Sequence, residues 1–130
     1  MQTSCFSTYK GLDGIGIAGR SPVSYKGEEF KILAPKLWFF KKFKVDGDKD
    51  FYIKHYYKEV LDKLNPEEIY NLLKDNTLLC WEKSTFDENG KPNFFCHRRI
   101  VAEWIENKLG IEVPEYIEPK KDERKFNKLF

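Results

Sequence analysis

Several features that announce a function by themselves are scarce in this sequence. It has only three cysteines and two histidines, and no Cys-x-x-Cys pair. A disulfide framework and a zinc module of the usual spacing are therefore not expected. An excess of one charge is lacking too: 23 lysines and arginines face 21 acids, for a formal net charge of +2. That balance gives no global attraction to nucleic acid, so a local patch would have to supply it. No apolar run is long enough to span a bilayer. The opening Met1-Gln2-Thr3-Ser4-Cys5 has neither the basic nor the apolar region of a secretion signal. Reduced thiols, a cytoplasmic location and no membrane partner are the expectations that follow. What the chain has instead is aromatic weight, 16% of its residues, which opposes disorder. Its 130 residues suffice to bury a core without staples.

The pattern along the chain alternates strands and helices. Thr3–Tyr9 is rich in β-formers, and Lys10-Gly11-Leu12-Asp13-Gly14 breaks it. Ile15-Gly16-Ile17-Ala18-Gly19 suits a buried strand with something packed close. Glu28–Leu33 is read as a helical turn, with Pro35 opening a helix through Phe43. Ile53, Tyr56, Tyr57, Val60, Leu61 and Leu64 recur at spacings of three and four, which predicts a helix from about Lys49 to Leu64. Asn65-Pro66-Glu67-Glu68 carries the signature of another helix start, with Ile69, Leu72 and Leu73 as its buried stripe. Thr77–Lys83 predicts a strand, and Asn93–Leu109 a helix with Ile100, Val101, Trp104, Ile105 and Leu109 inward and Gly110 as its cap. Ile111-Glu112-Val113 predicts a closing strand. The fold class expected is α/β: a compact three-layer sandwich around a small, mostly parallel sheet. A single domain spans 1–117, and 118–130 form a charged C-terminal tail.

In such sheets ligands bind beyond the carboxyl ends of the strands. Those ends carry Lys10 after the first strand, Arg20 and Ser21 after the second, and Glu82 after the third. The following helix opens with Cys96-His97-Arg98-Arg99. With Asn93 as cap, Cys96 is the third helical residue. The helix end and Arg98 would favour its thiolate, suiting a nucleophile, or an anion held on the amides beside it. His97 is a candidate general acid or base, or a residue that bonds a loop carbonyl. Arg98 is a candidate for a bidentate contact with phosphate, or for an internal pair with Glu82; Arg99 is then left to solvent or a surface acid. Glu82 is a base or an orienter of arginine. Cys80 reads as core. Cys80, Cys96 and His97, with Cys5 as a fourth, are possible zinc ligands, but no Cys-x-x-Cys pair or second useful histidine supports them and consecutive Cys96 and His97 on a helix would diverge, so no metal is expected, nor any cofactor. Lys36–Lys44 interleaves basic and aromatic residues: either a surface for single-stranded nucleic acid or a helix with its rings in the core. Gly14–Gly19 lacks the helix start a dinucleotide fingerprint needs.

Leu79-Cys80-Trp81-Glu82-Lys83, followed after a loop by Phe95-Cys96-His97-Arg98-Arg99-Ile100-Val101-Ala102-Glu103-Trp104, resembles the domain-of-unknown-function family numbered 488. Tyr25–Phe30, Leu33-Ala34-Pro35, Thr3–Phe6 and Ile111–Val113 extend the resemblance over roughly residues 2 to 117. It implies a compact α/β domain whose motif positions are Cys80, Glu82, Cys96, His97 and Arg98. An aromatic is more usual where Cys5 stands, and the loop Ser84–Asn93 is longer than in many relatives. The expected function is binding of a phosphate-bearing ligand, a nucleotide or nucleic acid, at the carboxyl edge of the sheet, with Arg98, Arg20, Lys10 and Ser21 holding it. The alternatives are a thiol-dependent enzyme using Cys96 with His97 or Glu82, and a protein-interaction or inhibitor module. Whether turnover occurs is left open.

Overall fold

The structure is a computed structural model, and it describes residues 1–119. Most of the charged tail expected at 118–130 thus lies outside the described residues. Four strands form one all-parallel sheet: β1 (Gln2–Cys5), β2 (Gly14–Gly16), β3 (Glu28–Glu29) and β4 (Thr77–Cys80), in the order β1-β4-β2-β3. The helices are α1 (Leu37–Asp46), α2 (Lys49–Glu59), α3 (Pro66–Leu73) and α4 (His97–Leu109). The α/β class read from the sequence holds.

Every residue of β4 is buried, as a strand flanked on both sides by parallel neighbours requires. Thr3, Leu78 and Ile15 lie side by side in register. Because side chains alternate, they share a sheet face with Cys5 and Cys80. The helices cover that face: Ile15 and Leu78 join one buried cluster with Phe39 of α1, Tyr52 and Tyr56 of α2, Leu73 of α3, and Val101 and Ile105 of α4. On the other face Gly16 lets rings come close, since a Cβ there would sit 3.2 Å from the Phe6 ring and 3.0 Å from Ser21 Oγ. Phe6 packs in turn on Tyr25 and Trp81, with centroids 5.0 and 5.8 Å away. The three layers are therefore helices, sheet and a cover of loop aromatics.

Local signals set the helix ends. Asp48 accepts from the Phe51 amide at 3.1 Å and Asn65 from the Glu68 amide at 3.1 Å, with Pro66 first in its helix. α1 and α4 end on Gly47 and Gly110, both left-handed at φ 65° and 68°.

Several expected boundaries move. β1 stops at Cys5 rather than Tyr9, because the Thr8 and Tyr9 amides turn back onto the Cys5 carbonyl. Glu28–Glu29 is a strand, and only Lys31–Leu33 of the expected helical turn is a 3-10 turn. Ile111–Val113 is not a strand. The Val113 amide donates to the Glu106 carboxylate at 2.9 Å and its carbonyl accepts from Arg99 at 2.9 Å, so side chains hold its polar groups. This segment meets the sheet through a parallel bridge between Thr3 and Glu115. The helix expected to reach Leu64 ends at Glu59 and is followed by a 3-10 turn, Leu61–Lys63. Leu72, expected inside, is 63% exposed, because the buried stripe of α3 falls on Ile69 and Leu73.

Tyr56 tests the core. Its fully buried hydroxyl donates to the Leu33 carbonyl at 2.5 Å. Tyr56→Phe leaves that carbonyl without this donor, and denaturant titration is expected to show a loss of about 1–3 kcal/mol. A loss under about 0.5 kcal/mol would mean that water reaches the carbonyl.

Candidate functional site

The parallel strands point their carboxyl ends at one edge, and a pocket of about 710 Å³ opens there. Ala18, Gly19 and Arg20 enter it from the turn after β2, and Trp81 and Glu82 from the turn after β4. α1 contributes Leu37, Phe40, Phe43 and Lys44, and α2 contributes Tyr52. Phe95, Cys96 and His97 approach from the start of α4, beside Cys80 at the end of β4. The juxtaposition expected of Glu82, Arg20 and the Cys96–His97 turn is therefore present. Lys10 and Ser21 are not among the lining residues. Lys10 is exposed, and Ser21 donates to the Glu29 carboxylate at 2.8 Å.

Cys96 departs most from the sequence reading. α4 begins at His97, so Cys96 is the cap residue rather than the third residue of the helix. Its backbone is extended, with φ −157° and ψ 147°, and its side chain makes no capping bond. That geometry swings the sulfur back towards β4, where it is joined to Cys80 as a disulfide. Expected as free thiols, the two cysteines are paired; a cysteine so bonded is not a free nucleophile. Cys5, the register partner of Cys80, is free and buried, with its sulfur 3.6 Å from Ser7 Oγ.

His97 is buried rather than exposed on the first turn. Its Nε2 lies 2.8 Å from the Ile17 carbonyl oxygen, and its Nδ1 is 3.8 Å from Cys96 Sγ. A carbonyl only accepts, so Nε2 carries the proton and Nδ1 presents a lone pair. Burial, reinforced by the Arg98 charge, pulls its pKa down to about 4 against the opposing effect of the Ile17 carbonyl. The loop-carbonyl reading holds, and a neutral imidazole replaces the expected group titrating near neutrality.

Arg98 is engaged inside the protein. It is fully buried, and its carboxylate partner is Glu115 rather than Glu82. Nη2 and Nε meet the Glu115 oxygens at 2.8 to 3.2 Å, while Nη1 donates to Cys80 Sγ at 2.9 Å. Thr3 Oγ1 donates to Glu115 at 2.6 Å, Ser84 also donates to it, and the guanidinium lies over the Phe94 ring, 4.3 Å from its centroid. Arg99 also turns inward, donating to Thr3 Oγ1 at 2.8 Å and to the Val113 carbonyl. Glu82 is exposed at the pocket and sits 3.9 Å from Lys44 Nζ.

Sequence reasoning missed Glu115 and Tyr52; Phe40, Phe43 and Lys44 were singled out within Lys36–Lys44, and Phe95 within the family motif, but none was placed at this pocket. The only trace of Glu115 was an acid set between Val113 and Tyr116. The rings lay in helical patterns that read equally as core. No family model matches the chain, and neither a curated protein nor a solved structure matches it.

Two measurements check this geometry. Arg98→Ala strands the buried Glu115 carboxylate and is expected to cost about 3–5 kcal/mol in chemical denaturation; a cost below about 1 kcal/mol would show that the carboxylate reaches water. His97 stays unprotonated in the folded chain until the pH nears 4, whereas the unfolded chain protonates it below about 6.5. Its contribution is therefore complete above about 6.5 and is lost as pH falls towards 4, by about 3 kcal/mol. The stability difference between wild type and His97→Gln, followed in chelating buffer, should shrink across that window; a pH-independent difference would contradict a neutral buried imidazole.

Proposed function

We propose that this protein binds a phosphate-bearing ligand with a planar ring, of the nucleotide kind, in the pocket at the carboxyl edge of the sheet. One observation carries the reading: aromatic side chains and two cations converge on the same pocket. Phe40, Phe43, Trp81 and Phe95 offer faces and edges for a base, and Arg20 and Lys44 offer charge to a phosphate. Its volume lies within the range of about 300–1,000 Å³ usual for small-molecule sites. Arg98, expected to hold the phosphate, is replaced in that role by Lys44 and Arg20, because its own donors are engaged inside the protein. The proposal extends to kinship with the family whose motifs the sequence resembles, and to a cytoplasmic setting; among the described residues no helix is long and apolar enough to cross a membrane.

A second reading, thiol-dependent chemistry, is favoured by the meeting of the Cys80 and Cys96 sulfurs beside His97 at the pocket.

Thermal shift with a panel of nucleosides, nucleotides and short single-stranded oligonucleotides tests the first reading. A nucleotide is expected to raise Tm where the matching nucleoside does not. Arg20→Ala and Lys44→Ala should each weaken binding by about tenfold or more. No shift across the panel, or a shift that both variants leave unchanged, would overturn it.

A further inference from the structure

Cys80, Cys96 and His97 form a cluster that the ligand reading does not use. Their donor atoms all lie within 4.8 Å of one another, and all three residues are buried at the pocket. The objection drawn from the sequence, that neighbouring Cys96 and His97 would diverge, fails. It held only for a helical Cys96, and the extended cap brings both side chains to the end of β4.

The surroundings of each donor suit a metal. The Ile17 carbonyl fixes His97 with its proton on Nε2, which turns the Nδ1 lone pair towards Cys96 Sγ. Metal-binding histidines are oriented by this kind of carbonyl bond. Arg98 Nη1 donates to Cys80 Sγ at 2.9 Å. A disulfide sulfur is uncharged and gains little from a guanidinium, whereas a thiolate gains a charge-assisted bond. The Cα atoms of Cys80 and Cys96 are 7.5 Å apart, beyond the usual disulfide span of about 4.4–6.8 Å. That separation suits two thiolates facing one ion.

We propose that reduced Cys80 and Cys96, together with His97 Nδ1, bind a zinc ion whose fourth position opens into the pocket. Thiolate sulfur with imidazole nitrogen is a donor set that selects zinc over harder cations. Two thiolates and a neutral imidazole around Zn²⁺ sum to zero charge, and the adjoining Arg98–Glu115 pair is neutral as well. The buried site thus carries no net charge, which avoids the large cost of an unpaired ion. Three protein ligands with one position open is the pattern of catalytic rather than structural zinc. The disulfide is the oxidised alternative. A dithiol reductant supplies two electrons and two protons to the pair and is itself left as a disulfide. Zinc then displaces the two thiol protons.

The test uses the full chain, reduced with dithiothreitol, freed of it anaerobically, and titrated with Co²⁺ and then Zn²⁺. One cobalt per chain is expected, with a near-ultraviolet thiolate-to-cobalt band of an intensity that counts two thiolates and visible bands of a tetrahedral ion. Zinc should abolish the spectrum. Cys5→Ser should keep it, and Cys80→Ser and Cys96→Ser should lose the two-thiolate band. Should either buried serine unfold the chain, protection in the wild type decides. Zinc should then slow iodoacetamide labelling of Cys80 and Cys96 relative to the same reduced chain in chelator. Absence of stoichiometric metal binding, an unchanged band in folded Cys96→Ser, or unprotected cysteines would overturn the site. Added imidazole should shift the visible bands, and no shift would overturn the open fourth position. None of these readouts involves a nucleotide, so the zinc site and the ligand reading fail separately.

Discussion

The arrangement depends on a buried charge that has to be answered. Arg98 and Glu115 have no side-chain exposure at all, and a charge so placed is costly unless every donor and acceptor is met. Here they are met by distant parts of the chain: Thr3 from β1, Ser84 from the loop after β4, and Cys80 from the end of β4 itself. Replacing a buried pair with hydrocarbon of similar size is often neutral or stabilising. What the ion pair supplies is position. It pins the first turn of α4 against the end of β4 and draws the segment after α4 along β1. With α4 so held, Cys96 faces Cys80, and His97 reaches the Ile17 carbonyl.

Parallel strands do the rest. Their common direction brings the turns after β2 and β4 to one rim, and α1 closes the opening. The helical repeat of α1 explains how one short segment serves both core and pocket. Phe39 and Phe43 are four residues apart and lean on Tyr52, at 5.2 and 5.3 Å between ring centroids. Phe40 and Lys44, one step round the helix, turn to the opening. Lys42 lies on the outer side and pairs with Asp46 at 2.5 Å. The alternation of basic and aromatic residues is thus neither a solvated face nor a stacking platform alone.

Much of this was legible in the sequence where short-range physics decides. Asn65-Pro66 and Gly110 mark helix ends because capping is local, and Thr77–Lys83 reads as a strand because its apolar start leaves no polar alternation, although pairing stops at Cys80. The rim position of Glu82 and Arg20 followed from strand direction. What could not be read were the long-range partners. Nothing local tells Arg98 to choose Glu115, 17 residues on, over Glu82, and nothing in Ile111–Val113 reveals that Glu106 and Arg99 take its backbone groups. The two residues of β3 were hidden for the same reason: Glu28-Glu29 has no strand pattern, and pairing with β2 alone makes it a strand.

The start of α4 shows how much chemistry can hang on one boundary. Consecutive residues within a helix project about 100° apart, so a helix begun at Asn93 would have separated Cys96 from His97 and left each to a different role. With Cys96 extended instead, its sulfur lies 3.8 Å from His97 Nδ1. The consequence reaches the pocket. A centre of two thiolates, one imidazole and Zn²⁺ adds no net charge at the pocket wall. Arg20 and Lys44 then remain the charges that an incoming anion meets, with Glu82 tempering Lys44 at 3.9 Å. A metal at the base and an anionic group at the rim are therefore electrostatically compatible, and a ligand long enough to join them would be oriented by the separation of its phosphate from the donor that fills the fourth position.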